Sequence, residues 1–285
     1  MPSVKESRVT KPKAKRPRSP IRRVSNKLPL VEKTNALSIE DFISQYVTPT
    51  TQTGDLAKEN AIDQAHPSQD HTTRELIATP VEIYSAATIS AADLEACLNL
   101  IEQTSGEAYA ASSGGWSRTK KRKEMRLPDM KYLILRKIPN DFGDSSGEHA
   151  GVEKHSEDAD KAASSPSKTS EHPSETPSKD VLGFLSFMVT YEDGKEVVYC
   201  YEIHLSPTAR GRGVGNLLMN RMESIGRAVD LEKAMLTVFK SNESARRFYE
   251  RLGYEVDEYS PRPRKLRNGT IKDVEYLILS KRLDE

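Results

Sequence analysis

Two spacings of apolar residues recur along the chain, and together they predict an ordered series of strands and helices. Apolar or alternating runs, which are typical of strands, occupy 81–89, 131–137, 181–190, 196–205, 233–239, 254–259 and 275–280. Apolar residues at helical spacing follow Ser90, Gly213 and Asn242. The pair Asp193-Gly194 predicts a hairpin between the third and fourth strands. This order predicts a single domain of the α/β class.

A short helix and several polar segments lie around this series. Ser38 can cap an amphipathic helix, which we expect to pack on the main domain. We predict a disordered basic tail at 1–30, followed by this helix and a linker at 31–73. The domain at 74–285 is expected to contain a disordered insertion at about 139–180, where no apolar period is found.

The composition agrees with partial disorder and argues against several classes of protein. Hydrophobic residues make up 36% and charged residues 30% of the chain, a low ratio for a protein folded throughout. Cys97 and Cys200 lack metal-ligand spacing and are expected to be buried, reduced thiols of an intracellular protein. The irregularly spaced His149, His155 and His172 give no reason to expect a metal. Without an apolar signal region or a run of transmembrane length, we expect a soluble protein with no membrane partner.

The net charge of +1 conceals a strongly basic N-terminus. Residues 1–30 hold ten Lys or Arg and one acid. Such a segment is typical of a nuclear address, or of an electrostatic contact with nucleic acid or the ribosome. A solvated tail without a receptor is the alternative. We expect a monomer that is present in the nucleus and the cytoplasm.

The turn after the strand at 196–205 contains the clearest candidate chemistry. Arg210, Gly213 and Gly215 fit the pattern Gln/Arg-x-x-Gly-x-Gly/Ala ahead of an apolar helix. Free N–H groups at a helix start and the positive end of the helix dipole suit a pyrophosphate, and Arg210 and Arg212 can add positive charge. The alternative is a flexible, arginine-rich loop. A P-loop is excluded because no Gly-Lys-Ser/Thr follows the glycines.

The turn, the strand at 233–239 and the segment N-E-S-A-R-R-F-Y-E-R-L-G-Y follow one another as in the GCN5-related N-acetyltransferase (GNAT) family. The chain resembles this family from Val81 to its C-terminus. The resemblance implies a central mixed, twisted sheet flanked by helices, with acetyl-CoA as co-substrate. Within the GNAT family, the chain resembles the NatD family most specifically. The segments that carry this resemblance are Y-C-Y-E-I-H-L, L-T-V-F-K-S-N and Y-L-I-L-S-K-R. That family acetylates the free N-terminal amine of core histone tails beginning Ser-Gly-Arg-Gly.

The NatD resemblance also implies roles for individual residues. Glu202 is implied to be the general base and Tyr201 to position the substrate N-terminus. The residues implied to line the peptide groove are Tyr109, Tyr201, Thr237 and Tyr276. Those implied to hold acetyl-CoA are Ile203, His204, Leu205, Arg210, Gly211, Arg212, Gly213, Val214, Gly215, Asn216 and Asn242.

The chain departs from the family at two positions. Gly114 stands where the family usually has a second tryptophan, two positions before the one that matches Trp116. Thr190 stands where the family has a substrate-binding acid. Glu192 could replace that acid, because residues two apart on a strand face the same way.

The reaction needs a base, since an α-amino group has a pKa of about 8 and is largely protonated at neutral pH. Glu202 lies in an apolar strand segment, where we expect burial to raise its pKa. His204 is the rival base because of its intrinsic pKa. Cys200 is better interpreted as a small core residue than as an acyl carrier. Tyr249 matches a superfamily tyrosine that can protonate the leaving thiolate.

Other functions remain open from the sequence. A lysine side-chain acetyltransferase or a broader N-terminal acetyltransferase would use the same chemistry. A nucleic-acid-binding protein would explain the basic tail and the basic segment at 261–265, although no RNA-stacking motif or zinc-finger spacing accompanies them. An inactive acetyl-CoA-binding adaptor is disfavoured by Glu202. Trp116 fits either a core anchor or a wall of the substrate cleft.

Overall fold

The computed structural model describes residues 28–47, 80–137 and 181–284. The strands are β1 (Glu82–Ser85), β2 (Lys131–Arg136), β3 (Val181–Glu192), β4 (Lys195–Leu205), β5 (Lys233–Phe239), β6 (Glu255–Val256), β7 (Arg264–Lys265), β8 (Ile271–Lys272) and β9 (Tyr276–Arg282). The helices are α1 (Leu30–Asn35), α2 (Ile39–Tyr46), α3 (Ala91–Ala111), α4 (Arg118–Glu124), α5 (Val214–Val229) and α6 (Glu243–Arg251). A 3-10 turn, Pro207–Ala209, follows β4.

Seven strands form one mixed sheet in the order β1-β2-β3-β4-β5-β9-β6, and β7 pairs with β8 apart from it. Strands β4 and β5 are parallel, whereas the other neighbours in the large sheet are antiparallel. A parallel pair needs a crossover connection, which α5 supplies. The predicted α/β fold with a central mixed sheet is confirmed.

Helices cover both faces of the sheet, because successive side chains of a strand point to opposite faces. On one face, α5 buries Leu218 and Met222 in a cluster that we call the α5 core. On the other face, α3 buries Ile101 in a second cluster, the α3 core. The adjacent residues Phe184 and Leu185 of β3 belong to the α3 core and the α5 core respectively. The sheet is therefore the central layer of three.

Helices α1 and α2 lie against the α5 core. The Ser38 hydroxyl accepts the Asp41 N–H at 3.1 Å and caps α2, as the sequence predicts. Phe42 is fully buried in the α5 core. The Asn35 amide donates to the main-chain oxygen of Val189 at 2.9 Å. These contacts fix the N-terminal helices to the edge of β3.

Several boundaries differ from the prediction. Strand β1 ends at Ser85, because the Thr88 hydroxyl accepts the Ser85 N–H at 3.0 Å and closes a turn. The segment at 109–125, for which the apolar spacing predicts no element, is largely helical, since Tyr109 lies in the last turn of α3 and Ser117 caps α4. Strand β6 covers only two residues of the predicted strand at 254–259.

Most of the predicted tail, the linker and the whole predicted insertion lie outside the described residues. Within the described ranges, no helix has both the length and the apolar character needed to cross a bilayer. Cys97 and Cys200 are buried free thiols, as the sequence predicts.

Candidate active site

A β-bulge in β4 shapes the site. Ser186 of β3 pairs with Glu202 of β4, and the next residue, Phe187, pairs with Cys200. Tyr201 therefore has no partner on β3. An extra residue of this kind lets two successive side chains point to the same face of the sheet. Tyr201 packs against the α3 core, and the Glu202 carboxylate contacts Tyr109 of α3. The bulge thus brings together two side chains that regular alternation would separate.

Strands β4 and β5 pair along only part of their length. Residues 197–200 align with 233–236, after which β4 continues beside β3 and β5 continues beside β9. Among the described residues, the main chain at 201–205 has no ladder partner on its β5 side. A free strand edge offers unpaired N–H and C=O groups to a ligand. This edge includes the main chain predicted to contact acetyl-CoA.

The wedge between the diverging strands opens into a cavity of about 340 Å³, with walls from α3, α4, β4, β5 and α6. The predicted site residues that it brings together are Tyr109, Tyr201, Glu202, Ile203, His204, Thr237 and Asn242. Leu205, the turn at 210–216 and Tyr276 lie outside its lining.

Glu202 is buried beside this cavity, and its carboxylate has three polar partners. The Tyr109 hydroxyl and Lys121 Nζ both donate to Oε1, each at 2.7 Å. His204 Nε2 lies 2.6 Å from Oε2. Charge-assisted hydrogen bonds of this kind stabilise the ionised form of a carboxylate.

The pKa of Glu202 is shifted in the direction opposite to the sequence prediction. Burial raises it, as expected, but the hydrogen bonds and positive charges of His204 and Lys121 outweigh burial and lower the pKa to about 2. The predicted increase is therefore wrong, because the sequence revealed neither the contact of His204 with the Glu202 carboxylate nor Lys121 as a partner. Burial also lowers the pKa of Lys121, but the charges of Glu202 and Glu124 more than offset it, and the pKa is raised. Glu202 and Lys121 are both ionised at neutral pH.

A count of protons assigns the charge of His204. Its Nδ1 lies 2.6 Å from the hydroxyl oxygen of Thr104, and that hydroxyl donates to the main-chain oxygen of Leu100 at 2.7 Å. A hydroxyl has one proton, so the Thr104 oxygen must accept from Nδ1. Nε2 faces the ionised Glu202 carboxylate and must also donate. The geometry is therefore satisfied when His204 is an imidazolium, which cannot act as a base.

Burial raises the pKa of Tyr109, Tyr249 and Cys200, with Glu202 adding to the effect in each case. All three are therefore neutral at pH 7. A neutral thiol is a poor nucleophile, which agrees with a core role for Cys200. Tyr249 lines the cavity and keeps the proton that a leaving thiolate would need.

The turn before α5 has a backbone suited to a phosphate. Gly211 and Gly213 have φ of 71° and 77°, in the left-handed region that favours glycine. The first bond of α5 runs from the Leu217 N–H to the Gly213 carbonyl, so the N–H groups of residues 214–216 have no partner inside the helix. Arg210 Nε donates to the main-chain oxygen of Leu205 at 3.3 Å, which ties the turn to β4.

Gly215 has a different structural role from the other two glycines. It is buried, and a Cβ atom there would lie 3.1 Å from the ring of Phe248. Its small size therefore allows α5 and α6 to pack closely. Asn242 caps α6, since its side-chain oxygen accepts the Ala245 N–H at 3.1 Å.

These features fit acetyl-CoA. The turn at 210–216 would hold the pyrophosphate, and the free edge at 203–205 would bind the chain that carries the thioester. Among the described residues, no group of three or more His, Cys, Asp or Glu side chains is placed to hold a metal ion.

Of the predicted peptide-groove residues, Tyr109, Tyr201 and Thr237 line the cavity and Tyr276 does not. The Tyr199 ring lies 5.3 Å from that of Tyr201, and its hydroxyl is 2.5 Å from the Thr237 hydroxyl. Tyr276 pairs with Phe239, whose ring lies 5.5 Å from Tyr109. Tyr199 was not among the predicted site residues, although it lies two positions before Tyr201 in the quoted motif.

Trp116 and Glu192 take different positions relative to this groove. The Trp116 indole donates to Glu102 at 2.9 Å, and the ring lies 5.6 Å from Tyr109 but outside the cavity lining, which favours the anchor interpretation. Glu192 is half-buried, and its charge raises the pKa of Tyr199 and Tyr201 after the larger effect of burial. In the sheet, Glu192 pairs with Lys195, four residues before Tyr199 along β4.

Sequence reasoning missed Lys121 and Thr104. Lys121 belongs to a basic run that resembles a solvated surface, yet Arg118 and Arg122 of the same run pair with Glu95 on α3. These pairs hold α4 so that Lys121 faces the cavity. Spacing of basic residues along a helix could have suggested two faces, but no local pattern identifies Thr104.

Comparison with known proteins agrees with the architecture. Residues 152–254 match the model of the Acetyltransferase (GNAT) family. The match covers less than half of the chain, and the mixed seven-stranded sheet with helices on both faces is a GNAT-type fold.

Individual relatives cover parts of the chain. It is 36% identical over 102 residues to N-alpha-acetyltransferase 40 of Saccharomyces cerevisiae, covering 29% of this chain and 36% of the yeast protein. It is 27% identical over 77 residues to the uncharacterized N-acetyltransferase YycN of Bacillus subtilis, covering 27% of this chain and 49% of that protein. The matched segments thus span less than half of each relative. The structure of the PaiA N-acetyltransferase of Thermoplasma acidophilum in complex with coenzyme A aligns with 71% of this chain and 99% of its own, at 15% identity and a TM-score of 0.40.

Proposed function

We propose that this protein is an N-alpha-acetyltransferase that transfers acetyl from acetyl-CoA to the free N-terminal amine of core histone tails beginning Ser-Gly-Arg-Gly. The observation that carries the proposal is the ionised Glu202, placed by a bulge in the wedge between β4 and β5. The partial similarity to a yeast N-alpha-acetyltransferase supports the same substrate group. The basic segment at 1–30 supports a location in the nucleus and cytoplasm, with contacts to nucleic acid or the ribosome.

When bound, acetyl-CoA supplies an activated acetyl thioester. Glu202 accepts a hydrogen bond from the substrate ammonium and orients it toward the cavity. A carboxylate with a pKa of about 2 is a weak base toward a free ammonium. However, the nitrogen becomes strongly acidic as its new bond forms, so a weak base suffices at that moment. Glu202 is therefore proposed to act late, after the bound ammonium has lost one proton to the solvent and the neutral amine has attacked the thioester.

Two further groups support the reaction. The unpaired main-chain N–H groups near residues 203–205 can stabilise negative charge on the reacting carbonyl oxygen. The protonated Tyr249 can donate to the leaving sulfur, because burial holds its pKa above the usual range. Neither step requires a covalent intermediate on the protein.

The proposed selectivity follows from the groove. We propose that the aromatic side chains of Tyr109, Tyr199 and Tyr201, which line the cavity, select a small first residue followed by glycine. A basic third residue needs a carboxylate partner, and the charge of Glu192 acts on Tyr199 and Tyr201. We propose that Glu192 takes the place of the acid that Thr190 lacks.

Peptides that differ at one position test this selectivity. Ser-Gly-Arg-Gly, Ser-Gly-Glu-Gly and Met-Leu-Arg-Gly should be compared at equal concentration, with only the first acetylated efficiently. Glu192→Gln should reduce use of that peptide. Glu196→Gln is the matched control, since Glu196 is a carboxylate of the same hairpin and pairs with Tyr191. Equal use of all three peptides would favour a broader N-terminal acetyltransferase.

One observation favours a second candidate, a lysine side-chain acetyltransferase. The ε-ammonium of Lys121 fits against Glu202, so an ε-amine can occupy this position. Mass mapping of products from a histone-tail peptide with a free N-terminus and from one with a blocked N-terminus separates the two activities. Acetylation of lysine in the blocked peptide would support the second candidate.

A further inference from the structure

Lys121 presents a primary amine inside the candidate active site. Its Nζ lies 2.7 Å from Glu202 Oε1, the carboxylate proposed to bind the substrate amine. The Lys121 side chain is 10% exposed and lines the same cavity as Ile203 and His204. Its amine is therefore held where the acceptor amine of a substrate is expected.

A purely structural ion pair would not require this position. Nζ also contacts Glu124 at 2.9 Å, which would satisfy a surface lysine by itself. The neighbouring Lys120 and Lys123 are exposed, and Lys121 is the lysine that lines the cavity among the described residues. On α4, Lys121 therefore faces the proposed reaction centre, whereas Lys120 and Lys123 face the solvent.

We propose that the protein acetylates its own Lys121 on Nζ, with acetyl-CoA as the donor. This inference rests on the proposed acetyl transfer at Glu202. The neutral Nζ forms a bond to the carbonyl carbon of the thioester, and the carbon–sulfur bond breaks with its electron pair remaining on sulfur. Coenzyme A leaves as the thiolate. The proton lost by nitrogen passes to Glu202 and then to the thiolate or to water.

The reaction should be slow at neutral pH. Nζ must first lose a proton, while Glu202 and Glu124 stabilise the ammonium and the Tyr109 ring lies 4.7 Å from it. The His204 ring contacts the other carboxylate oxygen of Glu202, Oε2. Higher pH increases the neutral fraction of Nζ and should accelerate the modification.

Intact mass measurement tests the proposal directly. The full chain is incubated with acetyl-CoA and no peptide, and peptide mapping locates the added acetyl group. We expect modification of Lys121 ahead of Lys120 and Lys123, at a first-order rate independent of protein concentration. Lys121→Arg should abolish it, and Lys120→Arg should retain it. Modification that favours the exposed lysines, or a rate that rises with protein concentration, overturns the inference.

A binding measurement provides a readout without acetyl transfer. If Nζ occupies the acceptor position, it competes with the substrate ammonium for Glu202. In calorimetry with coenzyme A present, Lys121→Met should bind the Ser-Gly-Arg-Gly peptide roughly tenfold more tightly than the unmutated chain. Lys120→Met should leave the affinity unchanged. Unchanged or weaker binding by Lys121→Met contradicts the assigned position.

The two proposals can fail separately. If peptides are acetylated while Lys121 stays unmodified and its removal does not tighten peptide binding, self-acetylation is wrong and the proposed function stands. If the chain binds coenzyme A but acetylates neither peptides nor Lys121, the proposed function is wrong, and the inference falls with it.

Discussion

Glu202 combines burial with a full negative charge, a combination that the structure maintains through three donors. Glu202→Gln keeps the shape of the side chain but cannot accept a proton. Turnover should fall by roughly 10²- to 10⁴-fold, the usual contribution of a positioned base. Coenzyme A affinity should change little, because the proposed pyrophosphate turn is separate. Steady-state kinetics and calorimetry measure the two effects.

Glu124→Gln is the control for Glu202→Gln. It removes the other carboxylate that contacts Lys121 without touching the proposed base. Because the pKa of Glu202 is about 2, the carboxylate should remain ionised throughout pH 5 to 9. Any change of turnover with pH in that range should therefore reflect protonation of the substrate amine. A near-normal rate for Glu202→Gln would remove Glu202 from the proton transfer.

Thr104 is the residue that accepts the hydrogen bond from Nδ1–H of His204. Thr104→Val removes the acceptor for Nδ1–H and leaves a buried donor without a partner. An unsatisfied buried donor costs about 1–3 kcal/mol, so the free energy of unfolding should fall by that amount. Denaturant unfolding measures the change, and Thr104→Ser should restore stability because it keeps the hydroxyl. Unaltered stability in the valine variant would contradict the assigned hydrogen bond from Nδ1–H to Thr104.

At the scale of elements, amphipathic segments could be predicted and others could not. Strand β5 has the predicted bounds, and the Ser90 hydroxyl caps α3 by accepting the Asp93 N–H. Helix α4 was missed because its sequence, RTKKRKE, has no apolar face and is held by ion pairs to α3. The bulge at Tyr201 has no local signal, since it depends on the register with β3.

The turn before α5 makes a prediction at the same scale. Gly213→Asp should weaken coenzyme A binding, because it places a negative charge and a side chain at the proposed pyrophosphate site. Gly213 has a positive φ, so backbone strain must be separated from charge. Calorimetry should therefore compare Gly213→Asn, which adds similar bulk without charge.

Gly269→Asp is a further control for this test. Gly269 has a φ of 84° in the turn between β7 and β8, where a Cβ meets nothing within 4 Å. The Gly269→Asp variant therefore introduces similar backbone strain at a position outside the turn before α5. Equal coenzyme A affinity in folded Gly213→Asp and unmutated protein would remove the turn from the binding site.

At the scale of the whole molecule, the sequence could predict an N-terminal helix but not where it packs. Its amphipathic face identifies Phe42 as buried, whereas the contacts of Asn35 with Val189 and of Phe42 with Lys131 join residues far apart in the chain. The candidate site has the same limit. The motif predicts Glu202, while its partners come from α3, α4 and β4 together.

Lys131 is the buried cation where the N-terminal helices meet the sheet. Its Nζ donates to Asn35 Oδ1 at 3.2 Å and lies 4.9 Å from the centre of the Phe42 ring. Burial lowers its pKa from 10.5 to about 8, against a smaller opposing effect of Asp129. Below about pH 8 the folded protein therefore carries the cost of a desolvated ammonium.

This cost predicts how stability depends on pH. Between about pH 8 and 10.5 the unfolded chain keeps a proton that folded Lys131 has lost, so this residue makes stability rise with pH across that window. Lys131→Met removes the charge and should be more stable than the unmutated chain at pH 7. The difference should shrink as pH rises through the window. Urea unfolding at several pH values measures it, with the exposed Lys33→Met as control. A Lys131→Met variant that is less stable at pH 7, by an amount that does not change with pH, would show that the contacts with Asn35 and Phe42 outweigh desolvation.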